Sequence, residues 1–361
     1  MNLINFYSSE DKSQIFNSGT LQFKNTAFYS LRIALKSYFN TYHSMLSRLD
    51  YYTNNVEKVY LSDPYYESYI ETIVHFQHFF ELIIKDLLER ENPLLAVRTI
   101  DKPVLLHRLL LKEDISDEEY NSLNSLEFSG ALKTICDLEK TGRVTSPAFK
   151  IFNRNKGVLD ALNNFRNRIW HRGRFILKYH ALDEFICKHV LPIVMEIVEL
   201  NEYKQYKANW TPKSKNIMKL DIFLELMNEY KSPVPDHSKI ALLKEIGRTE
   251  YNLKSLFEYR QDEKKVDVYK KWGGETDFIS EVLKCPVCGN VSLFNYHDYD
   301  VSIEELGDEL SENFATFTVA ELVESRVGCV LCKFEVNRFV LNPSDYGFGD
   351  LRFWNIDEHA N

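Results

Sequence analysis

An arginine, the asparagine directly after it and a histidine one helical turn further lie at Arg166, Asn167 and His171. By type, these three side chains suffice to act on a phosphodiester without a metal. A guanidinium can bind phosphoryl oxygens, an amide can hold one of them, and an imidazole can move protons near neutral pH. Arg and His at such spacing also occur as solvated cations at a helix end, so residue type alone does not decide. The surrounding charge adds to the case. Between Phe149 and Lys178 stand Lys150, Arg154, Lys156, Arg166, Arg168, Arg172, Arg174 and Lys178, opposed by Asp160 alone. In a chain of net charge −9 this is a local positive field of the kind that attracts a polyanion.

The triplet must be positioned by helices. A helical pattern over Gly157 to Phe165 leads into it. On a continuous helix Asn167 and His171 share a face, while Arg166 lies about 100° round from Asn167. The three converge if the helix loosens near His171, or if they line a cleft that wraps it, and Gly173 can end it. Upstream, Asp63-Pro64 caps a long apolar helix over Tyr65 to Arg90, which Asn92-Pro93 ends. A helix over Thr26 to Leu49 precedes it, and shorter ones are expected at Pro103 to Leu111 and Ser129 to Glu139. A second long pattern runs from Ile176 to Leu200, with Pro192 inside it predicting a kink or break. Long helices flanking short ones predict a mainly α chain folded as an antiparallel helical bundle.

Composition agrees: 24 Phe and 21 Tyr against 13 Gly and 10 Pro favour helices over a sandwich or barrel. With 44% hydrophobic and 27% charged residues the chain reads as soluble and globular. Met1 to Ser18 lacks the apolar core of a signal peptide, and no apolar run is long enough to span a membrane. A cytoplasmic protein without membrane partners is the expectation.

Four of the six cysteines form two knuckles, Cys285-Pro-Val-Cys288-Gly and Cys329-Val-Leu-Cys332. That spacing suits a closed, structural Zn²⁺ site rather than disulfides or a catalytic metal. It resembles a zinc ribbon over about Asp277 to Leu341, giving a small C-terminal β/α module. The 40 residues between the knuckles carry an acidic insert, nine acids and no Lys or Arg from Tyr296 to Ser325, expected to include a helix. Phe334 to Leu341 alternates like a strand.

The Arg166-Asn167-x-x-x-His171 pattern, following a helix and flanked by long ones, resembles the Arg–(four to six residues)–His signature of HEPN domains. These are all-helical modules of metal-independent endoribonucleases, many of them toxins or phage-defence (abortive-infection) effectors. A second likeness is Glu81-x-x-x-Lys85 in the first long helix. The resemblance covers roughly Asp63 to Leu200. It implies RNA cleavage by 2′-OH attack without a catalytic metal, with Arg166, Asn167, His171 and Glu81 as catalytic residues. Arg154, Lys156, Arg168, Arg172 and Arg174 would contact RNA. It also implies a homodimer through the HEPN-like domain, and an antitoxin or trigger protein as a further partner. Glu81, a carboxylate within Phe79-Phe80-Glu81-Leu82-Ile83, needs a partner if buried. The preferred expectation is that it orients Arg166 or His171, against a simple i, i+4 pair with Lys85. The alternative function is a non-catalytic dimerisation or RNA-binding scaffold carrying a zinc-ribbon interaction module. The expected divisions are an N-terminal helical region (1–62), the HEPN-like domain (63–204), a linker and helical region (205–273), the zinc-ribbon-like domain (274–345) and a tail (346–361).

Overall fold

The computed structural model describes residues 23–49, 63–98, 102–111, 113, 116, 119, 124–144, 146–173, 176–212, 220–253, 266–267, 279–306 and 315–337. The tail at 346–361, the glycine pair at 273–274 and the N-terminal 22 residues lie outside these. The described chain is mainly helical, with small antiparallel sheets. No described helix is long and apolar enough to cross a membrane.

Helices α1 (Phe23–Leu49) and α2 (Asp63–Glu91) pack along each other and form the spine of the molecule. Helix α2 buries most of its circumference, with Tyr65, Tyr69, Ile73, Phe76, Phe79, Phe80, Ile83 and Leu87 among its buried residues, and leaves a less buried stripe along Glu67, Glu71, His78 and Glu81. A helix buried on most sides is central to its domain. The expected stop is present: the Asn92 side chain accepts a hydrogen bond from the Leu94 N–H (2.9 Å) as the chain leaves α2 in a single 3₁₀ turn, Pro93–Leu95. A short ladder of β1 (Val97–Arg98) with β2 (Asn124–Ser125) brackets α3 (Pro103–Leu110).

Helices α4 (Phe128–Lys140), α5 (Pro147–Arg154) and α6 (Lys156–Arg172) follow. Helices α4 and α6 both pack on α2. Helix α5 is not among the sequence expectations, although its start is signalled: Ser146 caps it by accepting from the Ala148 N–H, and Pro147 occupies the first turn. Helix α6 runs on through Arg172, beyond the expected end at Phe165, so the Arg–Asn–His triplet is fully helical.

The pattern expected as one helix from Ile176 becomes α7 (Tyr179–Glu184), a π turn (Phe185–Val190) and α8 (Leu191–Val198). Pro192 has no N–H to give the preceding turn. The widened turn, in which the Leu191 N–H reaches back to the Ile186 carbonyl, absorbs the mismatch. The stretch expected to be a linker from Lys204 is instead packed structure. A 3₁₀ turn (Lys204–Tyr206) and α9 (Lys207–Trp210) sit between the buried rings of Tyr203 and Trp210. Two aromatic anchors outweigh the polar residues around them. Helices α10 (Ile222–Glu229, capped by Asp221) and α11 (His237–Asn252) complete the helical body, and α11 lies against α1. One hydrophobic core joins these elements, so the regions expected at 1–62 and 205–273 share their interior with the central helices.

A buried ion pair fixes that arrangement. Lys244 of α11 and Asp183 of α7 are both fully buried with Nζ–Oδ1 2.5 Å, and Nζ also meets Thr41 Oγ1 (2.6 Å). The ammonium lies over the rings of Tyr38 (4.5 Å) and Tyr179 (4.1 Å). Burial pulls the Lys244 ammonium below its ordinary pKa, and the Asp183 carboxylate works against that.

Strands β3 (Ile279–Lys284), β4 (Val291–Leu306), β5 (Ala315–Cys329) and β6 (Glu335–Asn337) form one antiparallel sheet in that order. The described residues of the acidic insert therefore form a long two-stranded ribbon, paired from Leu293↔Cys329 to Leu306↔Ala315 with one register shift after Tyr296, where a helix was expected. Runs such as Thr316-Phe317-Thr318-Val319 are β-branched and aromatic, which favours strand.

Two stability outcomes are expected. A Cβ at Gly247 would lie 2.4 Å from Phe39 Cδ1. That ring is itself hemmed in by Tyr38, Phe223 and Tyr251. Gly247→Ala should therefore cost about 1–3 kcal/mol, seen as a lower urea midpoint at unchanged m. Lys244→Met strands a buried carboxylate and should cost about 3–5 kcal/mol, with Lys244→Met/Asp183→Leu recovering part of it.

Candidate functional site

Helix α6 buries Leu159, Leu162 and Ile169 and lays the half-buried Phe165 edge-on against Phe185 (5.0 Å). That apolar stripe orients the rest of the helix. Asn163, Asn167 and His171 form one i, i+4, i+8 row, with Arg166 and Trp170 in the row beside it. Asn163, 9% exposed, donates to Ser129 Oγ (3.1 Å) and ties α6 to the first turn of α4. Gly173 adopts the left-handed conformation (φ 59°) and gives its N–H to the Ile169 carbonyl (3.2 Å), ending the helix. The cations thus gather at a helix C-terminus, where the dipole stabilises them.

The two rows open onto a cleft of about 380 Å³ lined by Gln77, Glu81, Glu127, Phe128, Ser129, Asn163, Arg166, Asn167 and His171. A second, shallower hollow of about 390 Å³ continues round the helix along Asn164, Asn167, Arg168 and His171. The triplet therefore meets without any loosening of the helix, because the cleft wraps it.

Arg166 donates from Nη1 to Asn167 Oδ1 (3.0 Å), which leaves the amide Nδ2 of Asn167 free to donate elsewhere. The guanidinium carbon lies 6.0 Å from the centre of the Trp170 ring. Its Nε is buried and has no hydrogen-bond partner among the described residues. A buried guanidinium N–H without an acceptor costs free energy until an anion or carbonyl supplies one. His171 is exposed and makes no side-chain hydrogen bond to another described residue.

Glu81 does not do what the sequence suggested. It lines the cleft, yet its carboxylate accepts from Lys85 Nζ (2.6 Å) and Gln77 Nε2 (2.9 Å), the i, i+4 pairing on its own helix. Burial raises the Glu81 carboxyl, and these two donors outweigh burial and leave it below its ordinary pKa. Neither Arg166 nor His171 is its hydrogen-bond partner, because helix neighbours reach it first.

The positive patch is also narrower than the sequence implied. Arg154 pairs with Glu196 of α8, and Lys156 with Asp160, so both charges are matched on the surface. Arg168 stays exposed beside the shallower hollow. The Arg172 side chain and the whole of Arg174 lie outside the described residues. What sequence reading missed was the wall opposite α6. Gln77 of α2 and Ser129 of α4 enter the cleft only through tertiary packing, whereas Asn163 was legible as the residue one turn before Asn167.

The second candidate centre is the cysteine cluster. The Sγ atoms of Cys285, Cys288, Cys329 and Cys332 all lie within 4.8 Å of one another, with Cys285–Cys332 at 3.5 Å and Cys288–Cys329 at 3.7 Å. Four thiolates at about 2.3 Å from a tetrahedral Zn²⁺ would be about 3.8 Å apart, so the donor set and spacing fit that ion. The knuckles are near copies. Gly289 N–H bonds the Cys285 carbonyl (2.9 Å) and Lys333 N–H bonds the Cys329 carbonyl (3.0 Å). Both residues are left-handed, at φ 76° and 64°. The buried Ser292 hydroxyl contacts Cys329 Sγ (3.1 Å), a supporting hydrogen bond behind the ligand shell.

This module is keyed into the helices. Arg248 of α11 donates to the Lys333 carbonyl and to Glu245, and the fully buried Glu245 accepts the Glu335 N–H (2.9 Å). Purified protein should carry about one zinc per chain, measured by elemental analysis. Cys288→Ser should lower that content and speed amide exchange at Lys333 to Glu335 and along α11; unchanged exchange would separate the metal from the helical body.

No family model, curated protein or solved structure matches this chain, so its function has to be argued from these two sites.

Proposed function

We propose that the chain is a metal-independent, HEPN-type endoribonuclease that cleaves RNA by attack of a ribose 2′-oxygen on the adjacent phosphorus. The observation that carries this reading is the Arg166 Nε, buried without a partner in the same polar cleft as Asn167 and the exposed His171. An anion with several acceptor oxygens satisfies that donor, and a phosphodiester is such an anion.

In this reading Arg166 and the Asn167 amide hold the non-bridging oxygens, and the guanidinium stabilises charge growing on the phosphorane. His171 moves a proton, either from the 2′-OH or to the departing 5′-oxygen. The P–O5′ bond breaks as the 2′-O–P bond forms, leaving a 2′,3′-cyclic phosphate and a 5′-hydroxyl. One imidazole serves one end of that transfer. A second copy facing the first across an HEPN-type antiparallel bundle would supply the other, which is why we read the protein as a homodimer. Arg168, Arg172 and Arg174 extend the phosphate track. Arg154 and Lys156 have smaller roles because Glu196 and Asp160 hold them. Glu81 acts at one remove, as part of the Gln77–Glu81–Lys85 ladder that forms the cleft wall.

The metal takes no part in the chemistry, since four thiolates leave a tetrahedral zinc no open position. Zinc is read as structural, holding the ribbon to α11. A cytoplasmic growth-arrest or phage-defence effector restrained by an antitoxin or trigger protein is the role that suits such an enzyme. A second reading is favoured by one observation, that nothing among the described residues orients the His171 ring. There the cleft binds RNA without cutting it, and the zinc module recruits a partner.

Cleavage of an end-labelled RNA separates the two. Wild type should yield cyclic-phosphate and 5′-hydroxyl ends with or without brief chelation, and His171→Ala should yield none. Arg166→Ala should lose about 10²–10³ in rate. A scissile 2′-deoxy nucleotide should resist. Cutting by His171→Ala at the wild-type rate would dispose of the catalytic assignment; retention without cutting would establish the scaffold.

A further inference from the structure

Trp170 is an exposed large aromatic, 60% accessible, on the last turn of α6. It stands one turn beyond Arg166 and beside His171, with the Arg166 guanidinium 6.0 Å from its ring centre. Nothing in the packing of the helix needs it there, because the buried stripe of α6 runs through Leu159, Leu162 and Ile169. An indole held out to solvent one helical turn from the guanidinium of the cleft exposes apolar area that water disfavours. Its helix neighbours Arg166 and Asn167 are the wrong company for an apolar partner and the right one for a ligand that joins flat rings to negative charge.

We propose that Trp170 is a stacking platform for an unpaired base of single-stranded RNA whose adjoining phosphate lies on Arg166 and Asn167. The inference rests on the RNA reading of the cleft and deepens it, because it names the state of the strand the site accepts. A base inside a duplex is stacked on its neighbours and cannot also lie on an indole, so the platform selects strands whose bases are splayed. The Arg166 guanidinium serves both parts, touching the phosphate through its N–H groups and the indole through its face.

The test uses the full-length protein and a fluorescein-labelled oligonucleotide with 2′-O-methyl riboses, which can bind but cannot supply the attacking oxygen. Affinity is read by anisotropy for the single strand and for the same strand in a duplex, with wild type, Trp170→Phe and Trp170→Ala. Each variant is also run by sedimentation velocity. Because Trp170 is exposed, both variants should keep the fold. Wild type should prefer the single strand; Trp170→Ala should lose about tenfold or more of that affinity, while Trp170→Phe should retain most of it. Equal affinity of wild type and Trp170→Ala overturns the proposal. So does a loss of affinity in Trp170→Ala that accompanies a change in sedimentation, which would make Trp170 a contact between two copies of the chain. Trp170-dependent binding by a protein that does not cut unmodified RNA would uphold the platform and remove the nuclease. Cutting of unmodified RNA with no effect of Trp170→Ala on binding would do the reverse.

Discussion

The arrangement of the helices depends on one ammonium group. Lys244 reaches from α11 into the core and meets Asp183 of α7 and Thr41 of α1, with the rings of Tyr38 and Tyr179 over it. Removing two charges from water costs several kcal/mol per ion, and only close, multiply bonded geometry offsets it. A contact of that kind tolerates little misplacement, so it fixes how α1, α7 and α11 sit together. Around it the Tyr38 hydroxyl contacts the Cys187 thiol (2.9 Å), which burial pushes up in pKa, inside the π turn. The π turn itself exists because Pro192 follows it. The register of α7 against α1 is therefore set jointly by an ion pair and by a proline.

From that frame the candidate cleft follows by packing. Helix α2 is buried on most sides and occupies the centre, so helix α6 presents its apolar stripe inward and its Asn–Arg–His rows to the edge. The wall opposite comes from α2 and from the first turn of α4, through Gln77, Glu81 and Ser129. Polar groups there satisfy one another: Asn163 bonds Ser129, Glu81 bonds Gln77 and Lys85, and Arg166 bonds Asn167. The guanidinium Nε is left over among the described residues, and this imbalance is the basis for proposing the cleft as a binding place.

The same frame carries the cysteine module. On the same helix Glu245, directly after Lys244, and Arg248, one turn beyond it, meet the backbone of the second knuckle at Glu335 and Lys333. Burial pushes the Glu245 carboxyl up in pKa, and Arg248 and the Glu335 N–H oppose that. The metal-fitting cluster and the buried ion pair thus hang on one helix. Order in the knuckles and order in the core are coupled through α11, whereas the acidic ribbon projects from the sheet as a two-stranded extension.

Much of this was legible without coordinates. Strong periodicity and explicit end signals placed α1, α2 and α4. Knuckle spacing alone named the four cysteines, because that ligand geometry is local. The Arg166–Asn167–His171 triplet and its glycine stop were likewise local, and they lie on one cleft. What was not legible depended on which partner arrives. The sequence offered Glu81 either Lys85 or Arg166; one turn of helix separates it from Lys85, and that proximity decided. Arg154 and Lys156 looked like free cations until packing brought Glu196 to the first and the helix turned Asp160 towards the second. The stretch from Lys204 reads as polar because its anchors, Tyr203 and Trp210, are few, and their burial is a property of the surface they meet. The acidic insert read as partly helical, and pairing between β4 and β5 gave its described residues a strand register instead. Sequence determined the long helices and named the candidate site residues, since those rest on short-range sterics and spacing. Tertiary structure alone decided which charges remain unspent at the cleft, since burial and pairing are made by residues far apart in the chain.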